Sequence, residues 1–600
     1  MNSAMRWFVF GVLVFSAGCE HDPVMLDVHP LDGQHATDMA FQSLYLEMDD
    51  GVRIAVDVYQ PLGYPEQDRG PALLEVTRYW RNRGDGMNYL IQRAVERGFA
   101  YVAMDERGTG ASFGNWPSPL SQRALEDVGE VLDWIAEQPW SNGLVGATGV
   151  SYPGMAAQQL AAMGHPALKA VVPMSDSYDL YENLIFPGGL LNEGFLRGWS
   201  DVVSAMDRST ELEVGGDLFR LQPVDEDTAG FLLLQAVAGH APNLNFFNAV
   251  QGLTFRDQEF VPGLTLEDVS SAQRASASSQ SGVAVYHWGS WMDAGSADGV
   301  IRAFMEGTGP RRAVIGVWAH DLFSSADPYG ARDSEANPPG SYQWEEALNF
   351  FDDVLRKGKT PSDRTLRYYT LGEGLWKETS AFPIPGTETL RLYLGEGGTL
   401  SATPPEAEVG EDPYLVDFEA RSSDHPRWLG PLFGEIWYSD RGGEDQKLLV
   451  YESAPLEADL EVTGYPVVTL NLASSQSDGA VIVYLEDAGA IGSVRYITEG
   501  MLRVIHRKEG EHPGLWAPPG PYHSFRAEDA EPLVPGEVAK LAFRLQPTSV
   551  LFRAGHKIRI AIAGHDASTF RRIPGTGTPE LRIQRNGAFP SFIDLPVIPR

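Results

Sequence analysis

The feature that most constrains this chain is a serine between small residues at the end of an apolar run, Val145-Gly146-Ala147-Thr148-Gly149-Val150-Ser151-Tyr152-Pro153-Gly154. A second apolar stretch, Met155 to Met163, follows it and predicts a helix. A strand, a Gly-x-Ser turn and a helix are typical of a nucleophile elbow, in which the sharp turn lifts the serine Oγ clear of the sheet. The second glycine comes one residue later than usual, which leaves a plain glycine turn open as an alternative.

Two further polar residues each end an apolar, strand-like run. Asp293 ends the segment that starts at Val283, and His320 ends the segment that starts at Ala313. In open α/β sheets, ligands bind where the strands end, so we expect both side chains to lie near Ser151. The order Ser, Asp, His is that of α/β-hydrolases. Histidine would take the serine proton, and aspartate would hold the imidazole in the required tautomer.

Other residues compete for two of these roles. His287 is the nearest rival of His320, although a position within a strand would make it a packed side chain. Asp298 and Asp321 are the nearest rivals of Asp293.

Several further segments share a pattern with one family, and they are Met48 to Ala55, Asp105 to Ser112, Gly149 to Tyr152, Trp291 to Asp293, Trp318 to His320 and Gly555 to Ile560. With them the chain resembles the family of cocaine esterase, α-amino-acid ester hydrolases and X-prolyl dipeptidyl peptidases. The similarity covers nearly everything after residue 40. It implies that Ser151 is the nucleophile, His320 the general base and Asp293 the residue that orients the base.

The same resemblance implies an oxyanion hole. Tyr79 matches the tyrosine whose phenol donates to the oxyanion in this family, and the backbone N–H of Tyr152 would be the second donor. A tyrosine among Arg78, Trp80 and Arg81 could instead pack against other parts of the protein.

Composition excludes several classes of function. The chain has 81 acidic and 46 basic residues, a formal charge of −35 that would repel phosphate backbones, so we expect no nucleic-acid partner. The turn around Asp105 to Gly110 lacks the Lys-Ser/Thr of a phosphate-binding loop and is expected to carry an Arg–carboxylate network. No His-Glu-x-x-His occurs, and we expect neither a metal nor a cofactor.

The N-terminus predicts export from a bacterial cytoplasm. Arg6 precedes an apolar run, and Ser16-Ala17-Gly18 supplies small residues, so residues 1–18 are typical of a signal peptide. Cys19, the single cysteine of the chain, stands where a bacterial lipobox has its acylated cysteine. Residues 19–38 would then tether a lipid-anchored protein in the cell envelope. Ordinary cleavage to a periplasmic or secreted protein is the alternative.

The remaining chain predicts an α/β-hydrolase with a second domain. Residues 39–176 and 281–362 would form the two parts of a doubly wound, mostly parallel sheet, because apolar strands alternate with helical spacing. Residues 177–280 would insert a helical cap, with no strand before Val283. Residues 363–600 carry short alternating strands and would form an all-β jelly-roll sandwich.

These patterns together predict a serine hydrolase that forms an acyl-enzyme on Ser151 from a small-molecule ester or amide, first of all an ester of a small acyl group. An X-prolyl dipeptidyl peptidase acting on short peptides is the alternative, and a non-catalytic, glycan-binding surface lipoprotein is an alternative of another class. Relatives that bind an α-amino group place carboxylates just after the triad acid, and the four residues after Asp293 contain none. Four carboxylates of the cap region could serve instead, namely Asp176, Asp179, Glu182 and Glu193. The oligomeric state stays open.

Overall fold

A computed structural model describes residues 39–61, 69–82, 89–214, 217–362 and 364–600. The predicted signal peptide, the tether and Cys19 lie outside the described residues. Within the described part of the chain, no helix is long and apolar enough to cross a membrane.

Six strands and three helices form the first part of the catalytic domain. The strands are Met39–Glu47 (β1), Arg53–Pro61 (β2), Gly70–Thr77 (β3), Ala100–Asp105 (β4), Ser141–Val150 (β5) and Leu168–Met174 (β6). The helices are Tyr89–Glu96 (α1), Gln122–Glu137 (α2) and Tyr152–Leu160 (α3). Strands β1 and β2 form the antiparallel hairpin that Asp49-Asp50-Gly51 predicts. Helix α2 buries the predicted apolar stripe, from Leu125 to Ile135, against the sheet.

The cap region is mainly helical. Its helices are Glu193–Met206 (α4), Phe231–Gly239 (α5), Phe246–Val250 (α6) and Ala275–Ser281 (α7), preceded by a π-helical turn at Tyr181–Ile185. The expectation that no strand occurs before Val283 is wrong. Two short antiparallel hairpins are present, Glu211–Val214 (β7) with Asp217–Arg220 (β8), and Glu259–Val261 (β9) with Leu264–Thr265 (β10). In the β7–β8 hairpin, glutamate and apolar residues alternate over 211–214 and are followed by a Gly-Gly pair, which is a hairpin signal. The alternating run is only four residues long, too short to be recognised between the predicted helices.

The second part of the catalytic domain completes the sheet. It contains strands Ala284–Ser290 (β11), Arg311–Gly316 (β12), Thr365–Thr370 (β13) and Leu375–Thr379 (β14), with helices Ser296–Glu306 (α8) and Gly340–Phe351 (α9). The 10-stranded sheet has the order β1-β2-β4-β3-β5-β6-β11-β12-β13-β14. Its central strands, from β4 to β13, are parallel, as the sequence predicts. Strands β13 and β14 continue this sheet beyond residue 362, where we expected the β-domain to begin.

The C-terminal region is the predicted all-β domain. Its strands are Glu388–Gly395 (β15), Thr399–Ser401 (β16), Glu411–Leu415 (β17), Leu449–Ser453 (β18), Leu460–Gly464 (β19), Val467–Ser474 (β20), Ala480–Ala488 (β21), Val494–Arg503 (β22), Ala539–Arg544 (β23), Thr548–Phe552 (β24), Lys557–Ala563 (β25), Glu580–Gln584 (β26) and Phe592–Ile598 (β27). They pair antiparallel, apart from the parallel pair β16–β18. One short helix, Gly430–Phe433 (α10), lies next to the cap helix α4.

One buried arginine joins the β-domain to the loop after β11. The Arg427 guanidinium donates two hydrogen bonds to the carbonyl oxygen of Ala294, at 2.9 and 2.5 Å. In return, the backbone N–H of Ala294 donates to the carbonyl of Arg427 at 3.1 Å. Ala294 has a positive φ of 42°, which is unfavourable for a residue with a Cβ. Contacts from the β-domain therefore hold this loop in a conformation that it would not adopt alone.

We expect Arg427→Met to destabilise the protein, because it leaves the Ala294 carbonyl buried without its donors at a cost of about 1–3 kcal/mol. The midpoint of thermal unfolding should fall by roughly 1–3 °C. Arg421→Met is the matched control, since Arg421 is an exposed residue paired only with the exposed Asp424 at 3.5 Å. Equal midpoints for the two variants would show that the Arg427 contact does not stabilise the domain junction.

Candidate active site

One pocket brings together the five residues that the sequence predicts for the site. Tyr79, Ser151, Tyr152, Asp293 and His320 all line the same cavity. The cavity lies at the end of strands β3, β5 and β6, below the cap, and Pro431 of the β-domain closes part of one side.

Ser151 follows the last residue of β5 and has φ 66° and ψ −122°, a conformation that L-residues seldom adopt. Its N–H donates to the carbonyl of Met174 on the neighbouring strand at 3.0 Å, and its own carbonyl accepts from Met155 N–H at 2.8 Å. The turn is therefore fixed on both sides, by β6 and by the first turn of α3. This is the predicted elbow geometry.

The small residues of the elbow are required by close packing. A Cβ on Gly149 would lie 2.3 Å from the Cβ of Pro153, and a Cβ on Gly154 would lie 2.6 Å from the carbonyl oxygen of Met174. The second glycine is thus needed one residue later than usual, because α3 contacts the end of β6 at that position. Pro153 is tolerated because the first turn of a helix has no use for its missing N–H.

Asp293 and His320 form a buried pair. The Nδ1 atom of His320 lies 3.0 Å from Oδ1 and 2.9 Å from Oδ2 of Asp293. A carboxylate only accepts hydrogen bonds, so Nδ1 carries the proton and Nε2 of the neutral ring is an acceptor. Nε2 is buried and has no hydrogen-bond partner among the described residues. It is thus free to accept a proton, and His320 lines the same pocket as Ser151.

The rival residues do not contact this pair. His287 is buried within β11, where burial holds its pKa well below the usual value. Asp298 accepts hydrogen bonds from Asn183 and Tyr465, and Asp321 accepts from backbone N–H groups of its own loop. Among the described acids, it is Asp293 that orients His320.

Tyr79 is oriented by a tryptophan of the cap. The indole N–H of Trp199, on α4, donates to the Tyr79 phenol oxygen at 2.8 Å. An indole N–H cannot accept, so the phenol proton must point elsewhere. Burial raises the pKa of Tyr79, which keeps the phenol protonated at neutral pH. Tyr79 is therefore a protonated phenol that lines the same pocket as Ser151 and can donate a hydrogen bond there.

Tyr152 is held by a buried glutamate. Its phenol donates to Oε2 of Glu106 at 2.6 Å and accepts from the N–H of Leu120 at 3.0 Å. The Trp116 indole also donates to Oε2, at 3.2 Å. Burial raises the pKa of Glu106 to about 7, against the opposing effect of the Tyr152 bond. Since Tyr152 is the first residue of α3, its backbone N–H has no partner within the helix.

The expected Arg–carboxylate network is present in the turn after β4. Arg107 pairs with Asp127 at 2.6 Å and with Asp50 at 2.9 Å. Asp105 accepts from Arg81 at 3.0 Å. These pairs support the turn that carries Glu106.

The four carboxylates proposed as amine anchors differ in their surroundings. Asp179 and Glu182 both face Arg256 and Arg302, and Glu193 pairs with Arg571 at 3.0 Å. Of the four, Asp176 is the one that lines the pocket. The rest of the wall is largely apolar and includes Leu180, Leu184, Ile185, Phe195, Leu196 and Phe246. In the described part of the chain, no group of three or more His, Cys, Asp or Glu side chains is arranged to hold a metal ion.

Two residues that support the site could not be identified from the sequence. Trp199 lies 120 positions from Tyr79, and Arg427 lies 133 positions from Ala294. Nothing in the local sequence marks either as part of the site.

Comparison with known proteins agrees with this geometry. Residues 50–321 match the family model described as X-Pro dipeptidyl-peptidase (S15 family), and residues 358–593 match the X-Pro dipeptidyl-peptidase C-terminal non-catalytic domain. A "Putative serine esterase" of Mycobacterium bovis is 37% identical over 93% of this chain and 96% of its own length. Cocaine esterase of a Rhodococcus species is 27% identical over 93% of this chain and 98% of its own.

A solved structure shares the fold. The crystal structure of an aminopeptidase from a marine sediment Thaumarchaeota archaeon is 20% identical, covers 96% of this chain and 99% of its own, and superposes with a TM-score of 0.73. The predicted fold class and the predicted serine hydrolase are confirmed by these matches. The chain belongs to the X-Pro dipeptidyl-peptidase (S15) family of hydrolases.

Proposed function

We propose that this protein hydrolyses carboxylic esters of small, partly apolar acyl groups through an acyl-enzyme on Ser151. The observation that carries the proposal is the His320 imidazole, which is bonded to both oxygens of Asp293, has an Nε2 without a partner among the described residues, and lines the same pocket as Ser151. A base in this state can take the proton of a serine hydroxyl.

The reaction then follows in two halves. The Ser151 Oγ attacks the ester carbonyl carbon while its proton moves to His320 Nε2. The negative oxygen that forms accepts hydrogen bonds from the Tyr79 phenol and the Tyr152 N–H, two donors fixed before the reaction starts. The intermediate expels the alcohol, which takes the proton from Nε2. Water then attacks the acyl group, again losing a proton to Nε2, and Ser151 leaves with that proton as the acid departs.

The residues of the pocket wall favour an ester with a partly apolar acyl group as the substrate over an X-prolyl dipeptide. Six leucine, isoleucine and phenylalanine side chains line the pocket, and three of the four acids that could bind a peptide amino group are paired with arginines. The relatives named serine esterase and cocaine esterase also support ester hydrolysis. Cleavage of X-prolyl dipeptides, the activity in the family's name, is the second candidate because Asp176 could hold an amine.

A paired assay separates the two activities. We expect the purified protein to hydrolyse p-nitrophenyl butyrate and to leave glycyl-prolyl-p-nitroanilide nearly untouched, because a peptide amine has one available carboxylate. Ser151→Ala is the blank, and it should also abolish labelling by a fluorophosphonate. Strong anilide turnover would make the peptidase the primary activity, and a folded protein without labelling would overturn the hydrolytic role of Ser151.

The oxyanion donor can be tested by Tyr79→Phe. Loss of a hydrogen bond made to the developing oxyanion should lower kcat by about 10²–10³ and change KM little. Trp199→Phe should lower kcat less, because it frees the direction of the phenol proton without removing it. Tyr45→Phe is the control, since the Tyr45 hydroxyl is buried outside the pocket lining. A fall of less than about tenfold for Tyr79→Phe would exclude it from the oxyanion hole.

We also propose that the protein is exported and lipid-anchored through Cys19. Support comes from the sequence alone, namely Arg6, the apolar run after it and Ser16-Ala17-Gly18 directly before the cysteine. Expressed in a bacterium, the chain should partition with membranes and show an acylated Cys19 as its first residue by mass spectrometry. Cys19→Ser affects no other thiol and should lose both properties. An unchanged N-terminus and unchanged partitioning would contradict the anchor.

A further inference from the structure

A second cavity lies between the cap, helix α8 and the β-domain. The end of the turn Tyr181–Ile185 lines the catalytic pocket, whereas Glu182 and Asn183 of the same turn line the second cavity. Asp298 of α8 and residues 543–547, which include the end of β23, form further parts of its wall. Among the described residues, the linings of the two cavities have no member in common. The second cavity is therefore a separate site.

Three polar groups of this wall lack a hydrogen bond within the described protein. The Arg544 guanidinium forms none, and its ion pair with Glu182 joins Nη2 to Oε1 at 3.9 Å, which is beyond hydrogen-bond length. Arg256 and Arg302 reach the other oxygen of Glu182, Oε2, at 3.5 Å and leave Oε1 unbonded. The Oε1 atom of Gln546 is buried without a partner. Polar groups in such positions are ordinarily satisfied by water or by a ligand.

The other polar side chains of the wall are already satisfied. Asp298 accepts hydrogen bonds from the Asn183 amide and the Tyr465 hydroxyl, both at 2.8 Å. The two ring nitrogens of His523 lie 3.1 and 2.8 Å from backbone carbonyl oxygens. A ligand in this cavity would therefore be held by the three groups that lack partners.

The charges of the wall decide what kind of ligand fits. An anion attracted by Arg544 would also approach the Glu182 carboxylate, and a cation attracted by Glu182 would approach the guanidinium, because the two groups are 3.9 Å apart. A hydroxyl group both donates and accepts, so neighbouring hydroxyls of one neutral molecule can bond to the carboxylate and to the guanidinium together. Hydrogen bonds to charged groups are the stronger kind.

Apolar and aromatic side chains form the rest of the wall. They include Met501, Leu502, Phe525, Phe543 and Leu545. Sugars and cyclic polyols carry hydroxyl groups around the ring and C–H groups on its faces, so one molecule offers both kinds of surface. Burial of the C–H faces against these side chains adds to the polar contacts.

We propose that the second cavity binds a small, neutral polyhydroxyl molecule of the monosaccharide class, held by Arg544, Glu182 and Gln546. Its hydroxyl groups donate to the carboxylate and to the Gln546 carbonyl, and they accept from the guanidinium. The site lies apart from the catalytic pocket, so this inference does not depend on ester hydrolysis at Ser151.

Isothermal titration calorimetry on the full chain tests the chemistry of the ligand. Methyl α-D-glucopyranoside and myo-inositol are the neutral probes, and the 6-carboxylate and 6-amine analogues of the glucoside carry a negative and a positive charge. We expect saturable binding of a neutral probe at millimolar concentration, and about tenfold weaker binding of both charged analogues because each meets a like charge. Tighter binding of a charged analogue, or no saturable binding of either neutral probe, would overturn the proposal.

Variants test the groups that hold the probe. Arg544→Met should weaken binding about tenfold or more, because it removes charge-assisted donors. Gln546→Leu should weaken binding less, since the bond it removes is neutral. Lys540→Met is the matched control, because Lys540 lies on the same strand, is exposed and pairs with the exposed Glu509 at 2.8 Å. Equal affinities of folded Arg544→Met and Lys540→Met would overturn the site.

Labelling of Ser151 distinguishes the second cavity from the catalytic pocket. Protein labelled by a fluorophosphonate should bind the neutral probe with unchanged affinity, because the two linings are separate. Loss of binding on labelling would place the probe in the catalytic pocket and overturn the second site. Binding that depends on Arg544 in a protein that hydrolyses no ester would overturn the proposed function and leave this inference intact.

Discussion

Ser151 occupies a backbone conformation that costs about 1–3 kcal/mol, and the surrounding fold has to maintain it. The Met174 carbonyl holds its N–H, and the first turn of α3 holds its carbonyl. These contacts exist only if α3 packs directly against the end of β6, which requires glycine at 149 and 154. The parallel sheet, the helix and the small residues are thus consequences of one requirement, an exposed Oγ at a fixed place.

The groups around Ser151 depend on parts of the chain outside the central sheet. Trp199 of the cap directs the phenol proton of Tyr79, and Arg427 of the β-domain holds Ala294 next to Asp293. Each contact fixes a direction, that of a proton in the first case and that of a loop in the second. The cap and the β-domain therefore do more than enclose the substrate, because each contributes a hydrogen bond that holds part of the site.

The sequence reveals the residues whose signals are local. Ser151, Asp293 and His320 each follow an apolar run, and the structure brings all three to one pocket. It could not reveal Trp199 or Arg427, because their partners lie 120 and 133 positions away. It also could not separate Asp176 from Asp179 and Glu193, since the arginines that pair with the latter two become their neighbours only in the folded chain.

Asp176 differs from other buried acids of this protein in the partners that surround its carboxylate. Asp57 and Asp105 share Arg81, and Asp445 and Glu486 share Arg441, so these carboxylates contribute to packing with their charge balanced. Glu106 accepts hydrogen bonds from neutral donors. Burial raises its pKa to about 7, so neutral donors match a carboxyl group that is only partly ionised at neutral pH. In the described part of the chain Asp176 forms no ion pair, and it lines the pocket that Ser151 also lines. Burial without a paired cation raises the pKa of Asp176 to about 7.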